Sequence, residues 1–277
     1  MKRSLSVVLL FFCLIIPNIY GSSIVQSMPN GFTHSVLCEH FSNAQSLACV
    51  NEQATIDEIE KEFGHNFHLI DFHLQDEWST IEANDKATTY NITMVPSNVY
   101  DGGYTTNIGE PLNKESIIET GSRIVHKIAL SVDKQIEGDT IEIECAVVER
   151  NGFEFKGKAI VFIVENNLIA NSVEWDNVFR GYALDQEFEL KPNAFELFYS
   201  SWEIPDNVNP ENVKAIAAVY EIDEIRGSYF VQSACDEDEK LDVPEFSNAF
   251  YVLVILNLIA VLLISRNAKR YGLIRRI

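Results

Sequence analysis

In the segment Val36-Leu37-Cys38-Glu39-His40-Phe41-Ser42-Asn43-Ala44-Gln45-Ser46-Leu47-Ala48-Cys49, an apolar strand gives way to a polar loop and then to a helix. The helix runs from about Ser46 to Phe63, because Ala48, Ile56, Ile59 and Phe63 recur at approximately helical spacing. Gly64 supplies a natural stop. Further along, Phe67 to Leu74 reads as a buried strand, and a helix follows from about Ser79 to Tyr90. Thr93 to Tyr100 leads into a turn at Asp101-Gly102-Gly103, a hairpin signal between apolar runs. Lys114 to about Val125 closes this half as a third helix. The order is βαβαββα.

The two ends of the chain have a different character. Lys2 and Arg3 precede an apolar run from Leu5 to Ile16, and Gly21 and Ser22 follow Pro17, which is the layout of a secretory signal peptide over residues 1–22. Residues 246–265 are nearly all apolar, with Asn257 the exception, so a C-terminal transmembrane helix is expected there. Arg266, Lys269, Arg270, Arg275 and Arg276 follow, which places a basic tail, 266–277, in the cytoplasm and the bulk of the chain outside it. The expected location is the cell membrane, single-pass. All 41 acidic residues lie between the two apolar runs, so that portion is more acidic than the whole chain at −20. Such a surface repels nucleic acid and suits a cationic partner or simple solubility. Residues 236–245, beginning Asp236-Glu237-Asp238-Glu239, read as an acidic stalk.

Residues 126–235 have a strand rhythm. Strands are expected near 127–132, 140–148, 158–164, 182–190, 195–202, 213–220 and 228–234, with turn residues between them, which reads as a β-sandwich.

Two features of residues 31–125 carry a resemblance. The run Glu39-His40-Phe41-Ser42-Asn43-Ala44 up to Cys49, and Val95-Pro96 followed by Val99-Tyr100-Asp101-Gly102-Gly103-Tyr104, resemble the redox-motif helix start and the cis-proline loop of thioredoxin-like domains in secreted prokaryotic proteins. Asn209-Pro210-Glu211-Asn212-Val213-Lys214 resembles the immunoglobulin-like domain that often follows them. The expected fold is therefore an α/β thioredoxin-like domain at 31–125, an all-β immunoglobulin-like sandwich at 126–235, and one C-terminal transmembrane helix.

Aligned this way, the Cys-x-x-Cys position reads Ser46-Leu47-Ala48-Cys49. Thiol exchange needs a low-pKa thiolate at the first position and a second sulfur, and Ser46 supplies neither. Cys49 is the sole inherited candidate for catalysis, either alone or with Cys38. The resemblance implies that Val95 and Pro96 expose backbone to an extended peptide. Two functions follow: a redox-inactive protein that binds or chaperones a polypeptide partner, or a thiol-disulfide oxidoreductase acting through Cys49. Cys38, Cys49, Cys145 and Cys235 allow three disulfide pairings. His34, His40, His65, His68 and His73 form no His-Glu-x-x-His motif, so neither a metal nor a cofactor is expected. Asn91-Ile92-Thr93 is a glycosylation sequon.

Overall fold

A computed structural model describes residues 31–223 and 228–239. Three helices are formed: α1 (Leu47–Phe63), α2 (Ile81–Thr89) and α3 (Lys114–Gly121). The strands are β1 (Val36–Ser42), β2 (Phe67–His73), β3 (Ser97–Tyr100), β4 (Thr105–Ile108), β5 (Ile128–Glu137), β6 (Thr140–Glu149), β7 (Phe155–Glu165), β8 (Leu168–Ala170), β9 (Val173–Trp175), β10 (Val178–Leu190), β11 (Phe195–Glu203), β12 (Val213–Asp223) and β13 (Ser228–Asp236). Thr80 and Asn113 cap α2 and α3 by accepting from the backbone N–H groups of Ala83 and Ser116, whereas Ser46 makes no such side-chain bond at the start of α1.

The strands form an eight-stranded mixed sheet in the order β13-β12-β7-β10-β2-β1-β3-β4, a three-stranded sheet β11-β6-β5, and the small hairpin β8-β9. β1 and β2 run parallel with Val36 opposite Phe67, while β3 is antiparallel to β1. The seam is narrow: β10 meets β2 in parallel at Val178 and Asp71, and the Asp71 N–H donates to Asn177 O at 2.9 Å.

This architecture corrects the expected fold class. The chain is mostly β. Its first-half strands do not form the sheet of a separate thioredoxin-like α/β domain but continue a sheet that begins in the second half. Nor do the later strands form an immunoglobulin-like sandwich of their own, since β7, β10, β12 and β13 belong to that same sheet. The physical reason lies in β7. Its run Ala159-Ile160-Val161-Phe162-Ile163-Val164 is apolar on both faces and wholly buried, so both faces need a cover. Val161 and Ile163 pack with Ile141, Ile143, Leu184 and Ala217 in the core against the three-stranded sheet. Ile160, Phe162 and Val164 pack on the opposite face with Leu37, Phe41, Phe72 and Ala83. A third core lies beneath α1 and α3, where Val36, Cys38 and Leu69 meet Ile56, Ile59 and Ile117.

Among the described residues no helix is long and apolar enough to cross a membrane. The transmembrane segment expected at 246–265, the signal peptide at 1–22 and the basic tail lie outside the described residues.

Candidate functional site

Cys49 sits in the first turn of α1 and is fully buried, in a cluster with Ala44, Trp78, Trp175 and Val178, and half-buried Val95 packs against this group. Cys49 and Val95 thus border one apolar cluster, and that cluster is roofed over. The β8-β9 hairpin carries Trp175 onto Cys49, and Asn171 Nδ2 donates to Ala44 O at 2.6 Å. Burial pushes the Cys49 thiol up, and hydrogen bonds from the Ser46 side chain and the Asn43 backbone only partly oppose this. Cys38 belongs to the core beneath α1, and all four described cysteines are free and buried. Pro96 is buried and follows a cis peptide bond from Val95, beside a recess of about 140 Å³ lined by Asn43, Leu74 and Met94. Asn91 is exposed at the turn after α2.

A buried polar chain fixes this roofed region. Ser42 Oγ donates to Asp71 at 2.5 Å, Asp71 lies 3.2 Å from His73 Nε2, and His73 Nδ1 lies 2.6 Å from Asp76. Asp76 also accepts from the Ala44 and Trp78 N–H groups, which ties β2 to the loop before α1. The His73 ring meets Trp78 and Trp175 edge-on at 4.9 Å each. Burial alone would lower its pKa, but the Asp71 and Asp76 carboxylates carry it up to about 9. These groups are sealed inside and engaged with one another, so their role is to hold the loop.

A wider groove lies elsewhere. Alternation along β1 puts Leu37 and Phe41 on the face of the shared core, and Glu39 lies between them with no exposed surface. A carboxylate there requires a partner. Lys86 Nζ lies 2.6 Å from Glu39 Oε1, and Tyr90 OH donates to Oε2 at 2.5 Å; Lys86 reaches from α2 and Tyr90 from the residue that caps its C-terminus. Tyr220 OH approaches Oε1 from β12 at 3.5 Å. The Lys86 ammonium lies 5.2 Å from the Tyr90 ring centroid and 5.8 Å from that of Tyr220, within cation–π range.

Above this buried set opens a groove of about 670 Å³. Its walls are Tyr90, Tyr182, Tyr220, Tyr229 and Phe230, and its rim carries Glu82, Asp85 and the pair Lys158–Asp185 at 2.6 Å. Gly102 and Gly103 close one side. A Cβ on Gly102 would sit 2.2 Å from Tyr229 O, and its φ is +72°, so only glycine lets the β3-β4 turn approach β13 this closely. Burial first, and the Glu39 charge second, push the hydroxyls of Tyr90, Tyr182 and Tyr220 upward, so they remain protonated donors. The groove can therefore offer ring faces, hydroxyl donors and acidic rim groups. No thiol lines it.

Sequence reading did not find this groove, because its tyrosines come from the C-terminal cap of α2 and from β10, β12 and β13. The available signal was Glu39, a charge in an otherwise apolar strand. A second cluster lies apart from it. Among the described residues, His68, Asp236 and Glu239 have ligand-type atoms all within 4.8 Å of one another.

No protein-family model and no curated protein matches the chain. Among solved structures, a protein of Agrobacterium tumefaciens determined as a structural-genomics target is similar over 75% of this chain and 96% of its own, with a TM-score of 0.51 and 11% identity. At that identity the likeness concerns the fold alone. A calcium-binding mutant of beta-glucuronidase 2 from Bacteroides uniformis matches over 39% of this chain and 12% of its own length (TM-score 0.27, 10% identity). The sporulation control protein Spo0M of Bacillus subtilis matches over 39% of this chain and 47% of its own (TM-score 0.21, 13% identity). Neither of these two carries weight for the fold.

Proposed function

We propose that this chain is a binding protein that takes a segment of a polypeptide partner into the tyrosine groove, and that it is not a thiol-disulfide oxidoreductase. The observation that carries this reading is the groove itself: five aromatic side chains around about 670 Å³, over the buried Glu39–Lys86 pair. Tyrosines give large, rigid contact area with a hydroxyl donor and lose little side-chain entropy on binding, which is why they dominate protein-recognition surfaces. The exposed Glu82 and Asp85 at the rim, with the net charge of −20, favour a segment carrying Lys or Arg. A guanidinium or ammonium can stack on a tyrosine face while pairing with the rim. The burial of Cys49 beneath Trp175 speaks against attack by its sulfur. The basic-then-apolar start at residues 1–22 and the acidic surplus support an extracytoplasmic location, which protease accessibility on intact cells would test.

The test is a peptide array probed with the 277-residue chain, followed by titration of the best peptides. Selected peptides are expected to be enriched in Lys and Arg, and to lose about tenfold or more in affinity to Tyr229→Ala and to Asp85→Asn. Peptides that bind wild type and both variants alike would overturn the assignment to the groove. Reduction of insulin disulfides by the wild type, silenced by Cys49→Ala, would overturn the non-enzymatic reading.

A further inference from the structure

We infer that the outer face of the three-stranded sheet β11-β6-β5 is the interface of a twofold dimer, with a second copy of this chain as its occupant. The inner face of this sheet carries Ile141, Ile143 and Phe198 into the core, and the residues between them point outward. On the edge strand β11 the outward residues include Phe195, Leu197 and Tyr199, which are 55%, 42% and 69% exposed. Large apolar side chains are rarely grouped this way on the surface of a monomer. They continue as a band onto β6, where Phe195 stands opposite Val148 and Leu197 opposite Ala146. Tyr199 stands opposite Glu144, and there the band ends.

Charge says what fits this band. At one end lie Lys127 and Arg150, both exposed, with the Arg150 N–H donating to Lys127 O at 2.9 Å. At the other end the outward positions are Asp133, Glu137, Glu142, Glu144 and Glu203, all exposed. Among the described residues none of these charges has an ion-pair partner. Lys127 and Glu137 stand about 33 Å apart along the line of β5, far beyond a screening length of about 8 Å, so the two ends cannot neutralise each other within one chain. A second copy can do so. Turning it about an axis that lies between the two faces and runs across the strands keeps β6 over β6 and reverses the strand direction. Lys127 and Arg150 of each copy then meet Glu137 and Glu203 of the other, and Leu197 packs on Tyr199. The face is its own complement, as a twofold interface requires. A uniformly basic partner would suit the acidic end and oppose Lys127 and Arg150 at the other. The tyrosine groove lies on the far side of the eight-stranded sheet, since its Ile160 and Tyr220 belong to the opposite core. The pairing therefore does not rest on the groove reading, and it leaves both grooves open.

Light scattering of the 277-residue chain across micromolar concentrations is expected to give twice the 31.4 kDa of one chain. Leu197→Glu and, separately, Tyr199→Ser should each weaken the dimer about tenfold or more and keep the wild-type thermal midpoint, because both side chains face outward. Two further variants test the orientation. A copy with Lys127→Glu and Arg150→Glu, and a copy with Glu137→Lys and Glu203→Lys, should each lose self-association yet pair with one another when mixed. A wild type that is monomeric throughout would overturn the interface. So would a dimer unchanged by both Leu197→Glu and Tyr199→Ser, or charge variants that do not pair when mixed. A monomer that takes a basic polypeptide on this face would assign it another occupant and overturn the dimer as well.

Discussion

Replacing Lys86 by Met tests the floor of the groove directly. Met keeps the length of the lysine stem against the Tyr90 and Tyr220 rings and removes only the charge. Glu39 is then left with no exposed surface, facing Tyr90 OH at 2.5 Å and Tyr220 OH at 3.5 Å without a counter-charge. Removing one partner of a buried ion pair costs about 3–5 kcal/mol. Here the two hydroxyls still solvate the carboxylate and Lys86 is 17% exposed, so the expected cost falls below that range, at about 2–3 kcal/mol. For a chain of this size that is a drop of about 5–10 °C in thermal midpoint. Urea unfolding of wild type, Lys86→Met, Glu39→Gln and the double variant closes a cycle. The double variant is expected to regain at least ~1 kcal/mol over the sum of the single losses. A Lys86→Met cost below ~0.5 kcal/mol, or strictly additive losses, would refute the claim that Glu39 is a buried charge held by Lys86.

Two further outcomes are expected. His73 has its folded pKa raised from 6.5 to about 9, so its contribution is fully present below about pH 6.5 and is lost as pH rises through 9; the urea midpoint should fall across that window and lose this fall in His73→Gln. The loss due to Glu60, raised by burial and by the Asp176 and Asp57 charges from 4.5 to about 7, falls in a lower window and should survive that substitution. Trp175→Ala should cost about 3–5 kcal/mol and speed the reaction of Cys49 with an aromatic disulfide reagent at least tenfold; prompt reaction of wild-type Cys49 would mean that Trp175 is no roof.

Much of the secondary structure was legible. α1 was expected from about Ser46 and runs Leu47–Phe63, and the strand expected at 140–148 is β6, Thr140–Glu149. These depend on local periodicity and on stop residues such as Gly64, which act within a few residues. The β8-β9 hairpin was missed, although Asn171-Ser172 between Leu168-Ile169-Ala170 and Val173-Glu174-Trp175 is a short hairpin signal, and both residues have positive φ. The cluster around Cys49 is completed by Trp175, far along the chain, which no local pattern announces.

The sequence by itself determined where most helices and strands lie, and it placed Glu39 as a charge in a largely apolar strand. Periodicity reports which face of an element must be buried and is silent on what covers it. Tertiary structure alone decided that β10 joins β2, that both faces of β7 are covered by different cores, and that Tyr90, Tyr182, Tyr220 and Tyr229 converge on one groove. It also decided that His68 meets Glu239 across most of the chain. Those contacts depend on sheet order, and sheet order is settled by the total apolar area that all strands can bury together, which no local window of residues contains.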